Sequence, residues 1–152
     1  MLRLSKLTDY AVVVLSHMTH DEGEIHAAAE IAQATSVGFP TVSKLLKLLA
    51  RAGVVHSVRG AKGGYLLNGS SEQISVAEII QAIEGPIALT ECSISDDSCQ
   101  QSANCEIRGN WTAINQAIKA ALEAVSLSDL ACCEKTPVPG EFTVRMDHLS
   151  RD

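Results

Sequence analysis

The 152-residue sequence has no apolar run long enough to cross a bilayer. Its strongest, Ala11–Leu15, falls far short of the roughly 20 residues that a spanning helix requires. The N-terminal segment lacks an apolar stretch ending in a small-residue cleavage site, so no export signal is expected. These two absences argue against a membrane protein and a secreted one, and make the cytoplasm the expected location. No catalytic triad, phosphate-binding loop or paired acid and base is recognisable, so the chain is not expected to be an enzyme. A further absence is local: from Ile31 through Ser71 there is no Asp or Glu.

That gap changes the meaning of the overall charge. With 12 Lys+Arg against 18 Asp+Glu, the net charge of −6 taken alone argues against nucleic acid as a partner. The charge is unevenly spread, however. Residues 1–70 hold 7 basic and 5 acidic side chains, whereas residues 71–152 hold 5 and 13. Lys44, Lys47, Arg51, Arg59 and Lys62 all fall inside the acid-free stretch, which therefore forms a local positive footprint. The 46% apolar content is enough for a real core in one or two small domains.

The pattern along residues 1–70 predicts short helices followed by a hairpin. Ser5 or Thr8 can cap a first helix running to about Met18, although its triple valine would also suit a strand. A second short helix follows Ile25-His26, with Ala28, Ile31, Ala32 and Ala34 as its small apolar positions. After the turn Thr35–Gly38, a third helix is expected from Pro40 to Gly53. Pro suits a first helical position, and Gly a left-handed stop. Val42, Leu45, Leu46 and Leu49 then form its apolar stripe, leaving Thr41, Ser43, Lys44, Lys47 and Arg51 largely outside it.

Two short helices joined by a tight turn, the second basic on its outer face, make a helix-turn-helix pattern. Val54–Val58 and Tyr65–Leu67 read as the strands of a wing around the glycine-rich Arg59-Gly60-Ala61-Lys62-Gly63-Gly64. In a DNA complex, Thr41, Ser43 and Lys44 would read bases or nearby phosphates, and Lys47 and Arg51 would touch the backbone. Arg59 and Lys62 would be wing contacts. Gly63 and Gly64 belong to the glycine-rich turn, whose backbone N–H groups can approach phosphate or let a side chain enter the minor groove.

The C-terminal half reads differently. A helix capped by Ser75 should end near Gly85-Pro86, followed by a loop from about Thr90 to Arg108. From Asn110, Trp111, Ile114, Ile118, Leu122 and Val125 recur at coiled-coil-like spacing. Ala113, Ala117, Ala121 and Ala124 would permit close approach of a partner helix, so this element is the expected dimer seam. Trp111 is expected to pack in that seam. The expected domains are 1–70, a winged helix-turn-helix; 71–130, the cysteine loop and dimerisation helix; and 131–152, a flexible tail. The expected fold class is mainly α with a small β-hairpin wing.

Cysteine is concentrated rather than scattered. Cys92, Cys99 and Cys105 form C-x6-C-x5-C, and Cys132 and Cys133 are adjacent. With no export signal, reduced thiols are expected. Three thiolates on one loop can wrap an iron–sulfur cluster or zinc. The tight C-x2–4-C pairs typical of zinc are absent, which favours the cluster; three incidental loop thiols are the bland alternative. Cys132 and Cys133 are left without a role, and His26 and His56 are read as surface or packing residues rather than ligands.

Several stretches together resemble the Rrf-two family of bacterial regulators. They are Met1–Tyr10, the helix Pro40–Gly53, the wing Val58–Tyr65, and Glu84-Gly-Pro-Ile-Ala-Leu-Thr-Glu-Cys92. The resemblance covers about residues 1–130 and is strongest to the branch that regulates SUF-system iron–sulfur assembly. It implies a homodimer that binds double-stranded promoter DNA through two winged helices, with an iron–sulfur cluster, 2Fe–2S or 4Fe–4S, controlling affinity. A repressor of SUF assembly genes is the implied function. Nitric-oxide or iron sensing, structural zinc, and a thiol redox switch remain as alternatives.

The match is incomplete at one ligand. In the Isc-type regulator a histidine three residues past the last cysteine completes the set, but here Arg108 stands there. In the nitric-oxide sensor an aspartate early in the first helix of the other subunit serves instead, and Asp9 occupies the similar place. Asp9 is thus either the fourth ligand or a carboxylate favourably placed at a helix N-terminus.

Overall fold

Ser5 opens the first helix by turning its side-chain oxygen to the Thr8 N–H at 3.3 Å, an N-cap that satisfies one of the orphan donors of the first turn. In the computed structural model, which describes residues 3–94 and 108–132, α1 spans Lys6–Met18. The triple valine is therefore helical: Val14 is buried with Ala11, Leu15 and Met18, while Val13 is exposed. Tertiary burial overrides the strand preference of these residues.

A 3₁₀ turn at Thr19–Asp21 leads to α2, Ala28–Thr35, and then α3, Phe39–Arg51. The turn between them holds Ser36 in the left-handed region at φ 57° and ends on Gly38, the cap of α3. Helix α3 begins one residue before the expected Pro40, because Gly38 rather than Phe39 supplies the cap and Pro40 still falls in the donor-free first turn. Its stripe of Val42, Leu45, Leu46 and Leu49 is fully buried, each side chain contributing about 1.5–3 kcal/mol of transfer free energy.

The hairpin pairs β1, Val55–Val58, with β2, Gly64–Leu67, antiparallel, with Val55 opposite Leu67 and Val58 opposite Gly64. Tyr65 of β2 makes a further backbone bridge, to His26 outside the hairpin. The His26 N–H donates to the Tyr65 carbonyl at 2.8 Å, and the Tyr65 N–H donates back to the His26 carbonyl at 2.9 Å. The segment before α2 is thereby fixed to the wing one residue short of its loop. A side chain at Gly64 would overlap the His26 carbonyl, so this close approach requires glycine.

Helix α4, Val76–Glu84, starts with a reciprocal capping box between Ser75 and Glu78, as the sequence led one to expect at Ser75. Helix α5 spans Arg108–Glu123, and a short α6, Leu127–Ala131, follows from a second capping box between Ser126 and Asp129. Val125, expected as the last seam residue, lies beyond α5, where its carbonyl accepts from the Val76 N–H at 2.9 Å. Ile74, Ile79 and Leu127 share one core with the buried residues of α1, α2 and α3. Both α4 and α6 pack on α1, so α1–α3 and the start of the C-terminal half are built around the same apolar centre. No helix among the described residues is long and apolar enough to cross a membrane.

Candidate DNA-binding surface and metal-binding loop

The stripe that buries one face of α3 turns the opposite face outward. Pro40, Ser43, Lys44, Lys47, Leu48 and Arg51 border a shallow groove of about 330 Å³ along that face. Lys44, Lys47 and Arg51 are exposed, while Thr41 and Ser43 are half-buried near the helix start. The structure thus gathers four of the five expected α3 contacts along one groove, with Thr41 on the same helix outside its rim. No carboxylate among the described residues pairs with any of these cations, so their field is not cancelled locally.

Arg59 and Lys62 stand exposed in the five-residue loop between β1 and β2. Gly60, at φ 128°, turns the chain there, and its carbonyl accepts the Gly63 N–H at 3.0 Å. The Gly63 amide is thus used within the loop, and a side chain at Gly63 would overlap the Val58 carbonyl. Both Gly63 and Gly64 have architectural reasons to be glycine, which sequence reasoning about phosphate approach did not distinguish from a contact role.

Glu84 links the C-terminus of α4 to the N-terminus of α1. One carboxylate oxygen accepts the Ser5 N–H at 2.8 Å and the Thr8 hydroxyl. Those hydrogen bonds, the Thr8 hydroxyl foremost and then the Ser5 amide, hold the Glu84 carboxyl below its usual pKa. Asp9, one turn further on, is exposed. It borders a largely apolar groove of about 450 Å³ with Leu4, Val12, Val76 and Leu130.

Of the three loop cysteines, Cys92 lies in a 3₁₀ turn at Glu91–Ser93, whereas Cys99 and Cys105 fall outside the described residues. Among the described residues no three His, Cys, Asp or Glu side chains converge as a ready metal cage. The donor chemistry nevertheless fits a thiolate-held cluster: three cysteines at C-x6-C-x5-C spacing in the sequence, the first of them in a turn packed on α5. The approach to that turn is anchored by a residue that sequence reasoning missed. Asn115 of α5 accepts the Leu89 N–H at 3.1 Å and donates to the Ile87 carbonyl at 3.1 Å. An isolated Asn in a helical pattern reads as part of a solvated face; nothing in its spacing reveals a buried clamp.

The expected dimer seam divides in two. Ile118 and Leu122 are half-buried and line a groove of about 370 Å³ with Leu4, Ile80 and the 85–89 segment. Trp111 and Ile114 remain 38% and 46% exposed, beside the exposed Ala113 and Ala117. Cys132, just after α6, is an exposed free thiol, and Cys133 lies outside the described residues, as does the rest of the expected tail.

Comparison with known proteins converges on one group. The profile of the Rrf2 family, described as an iron-dependent transcriptional regulator, matches residues 4–132. The transcriptional repressor NsrR of Streptomyces coelicolor is 29% identical over 90% of this chain and 93% of its own length. The transcriptional regulator IscR of Xenorhabdus nematophila is 29% identical over 85% of this chain and 79% of its own. Among solved structures, CymR, the global cysteine regulator of B. subtilis, aligns with a TM-score of 0.65 at 30% identity. That alignment covers 86% of this chain and 97% of CymR.

Proposed function

Because this chain belongs to the Rrf2 family and is a winged-helix, DNA-binding transcriptional regulator rather than an enzyme, we propose that it represses iron–sulfur assembly genes of the SUF type under the control of an iron–sulfur cluster. The observation that supports this reading best is a juxtaposition within one fold. A basic α3 face and wing share a core with α1 and α4, and α4 leads through the 85–89 segment to the Cys92 turn packed on α5.

In this reading Thr41, Ser43 and Lys44 read bases or nearby phosphates, and Lys47 and Arg51 touch the DNA backbone. Arg59 and Lys62 reach the neighbouring groove or backbone. The exposed Trp111–Ala117 face of α5 pairs with a second copy, so that two recognition helices address a two-fold promoter site. Cys92, Cys99 and Cys105 hold the cluster, and Asp9 of the partner subunit completes it. The exposure of Asp9 on the rim of an open apolar groove supports a role toward another chain over one in its own core. When bound, the cluster supplies a centre sensitive to oxidants and to iron supply. The chain's part is to convert ligand attachment into geometry: thiolates of one subunit and Asp9 at the start of α1 of the other tie the DNA-binding units together, and their release lets α1 move.

The test is iron, acid-labile sulfide and zinc per chain in protein purified without oxygen, with an absorption spectrum and promoter affinity before and after cluster removal. Iron and sulfide in near-equal amounts, with affinity that differs between the two forms, are expected. Zinc alone, or an oxidant-dependent two-proton mass loss without iron, would replace the cluster by structural zinc or a thiol switch. Equal promoter affinity of the two forms would end the sensing role.

A further inference from the structure

The Cys92 turn is joined to the body of the protein by the segment Ile87–Leu89, which has no strand or helix of its own. Two of its backbone polar groups, the Leu89 N–H and the Ile87 carbonyl, are instead satisfied by the single side chain of Asn115. Asn115 is 9% exposed, and it is the only side chain of α5 in the buried class among those described. Burying an amide at the surface of a helix otherwise short of buried residues is unfavourable unless its polar atoms find partners, and here oxygen and nitrogen both do. A leucine would fill similar space and leave both backbone groups unpaired. The requirement is therefore for one donor and one acceptor at fixed separation, which Asn supplies.

Asn115 lies one residue past Ile114, so the clamp sits on the same helical turn as the exposed seam. Asn115 also borders an open surface cleft of about 430 Å³ with Gln81, Gly85, Ile87 and Ser93. Beyond Leu89 the chain closes at once into the Cys92 turn, where the Ser93 N–H donates to the Thr90 carbonyl at 2.9 Å. Only Thr90 and Glu91 separate the clamp from the first cysteine.

We propose that Asn115 is the positioning residue that fixes the Cys92 turn against α5 and transmits displacement of the cysteine loop to the α5 seam. The proposal rests on the cluster reading above and deepens it by naming the connection between loop and helix. Groups that orient metal ligands typically change metal affinity by about 10–100-fold when removed, and the effect of Asn115 should fall near the lower end because it acts through the backbone.

The experiment uses the full chain, reconstituted without oxygen, as wild type, Asn115→Leu and Asn115→Asp. The aspartate keeps the acceptor for the Leu89 N–H and, if the leucine variant fails to fold, provides the second reading. Iron and sulfide are measured at the start, and the visible absorption is followed under a chelator. Promoter affinity is measured with and without the cluster, and apo-protein melting is recorded. Initial loading equal to wild type is expected, with cluster loss about tenfold faster in Asn115→Leu and intermediate in Asn115→Asp. The affinity ratio between the two forms should collapse toward one, while the melting curves still show a folded apo-protein. A loaded wild type with both variants unchanged in loss rate and affinity ratio overturns the clamp alone. A wild type without iron and sulfide overturns the cluster reading and the clamp's role with it.

Discussion

Lys62 illustrates what a single side chain contributes to this surface. It stands at the wing tip, exposed, with no carboxylate beside it among the described residues and with Gly63 folded back beneath it. A cation in that setting gains nothing from the fold and is available to a phosphate. Replacing it with alanine should therefore leave thermal stability unchanged and lower the slope of log affinity against log salt by about one unit, read from promoter titrations between about 50 and 200 mM salt. The same substitution at a base-reading position such as Ser43 should instead alter preference among promoter sequences. The comparison separates anchoring from reading at the resolution of one residue.

Between elements, the carboxylate of Glu84 joins α4 to α1 through Ser5 and Thr8. Its pKa is lowered in the folded state, so the sign of the pH effect follows. The stabilisation is complete above the ordinary glutamate value of about 4.3 and is lost as pH falls through the lowered native value. Glu84→Gln should lower the melting temperature at neutral pH and flatten the acid limb of the stability curve, measured by thermal melts from neutral pH downward. Because the link ends on the first turn of α1, the variant should also loosen the base on which Asp9 stands.

The same scale shows what the sequence could and could not disclose. The stripe Val42-Leu45-Leu46-Leu49, the Ser75 cap and the hairpin were legible because burial at a fixed period, a side-chain acceptor at a helix start and glycine-rich turns leave local traces. Helix α6 went unnoticed: its five residues have no room for a period, and only Ser126-x-x-Asp129 marked it. The His26–Tyr65 rung is made by backbone atoms alone and has no side-chain signature beyond Gly64. Asn115 was hidden for the opposite reason, because a polar residue within a helix usually faces water. The candidate DNA contacts are selected by charge and position, and the grouping of those on α3 along one groove follows from the stripe on the other side.

For the whole molecule, the exposed Trp111 and Ile114 set the expectation for assembly. On the dimer reading these two apolar side chains, with the exposed Ala113 and Ala117 beside them, are the strip that meets a second copy. Ile114→Asp should convert a dimer to a monomer in sedimentation experiments and weaken promoter binding by well over tenfold, because one winged helix then binds without its twin. Circular dichroism should change little, since Ile114 lies outside the common core.

The wing is no free flap. Close to its loop end it is bonded through Tyr65 to His26 and so to the chain entering α2, and little more than the five-residue loop carrying Lys62 projects beyond that bridge. Helix α3 and the hairpin are thus held as one unit, by the His26 bridge to the segment before α2 and by the core they share with α1. On the proposed reading a tilt of this unit should lift wing and α3 from the double helix together, so that release is expected to be concerted rather than finger by finger.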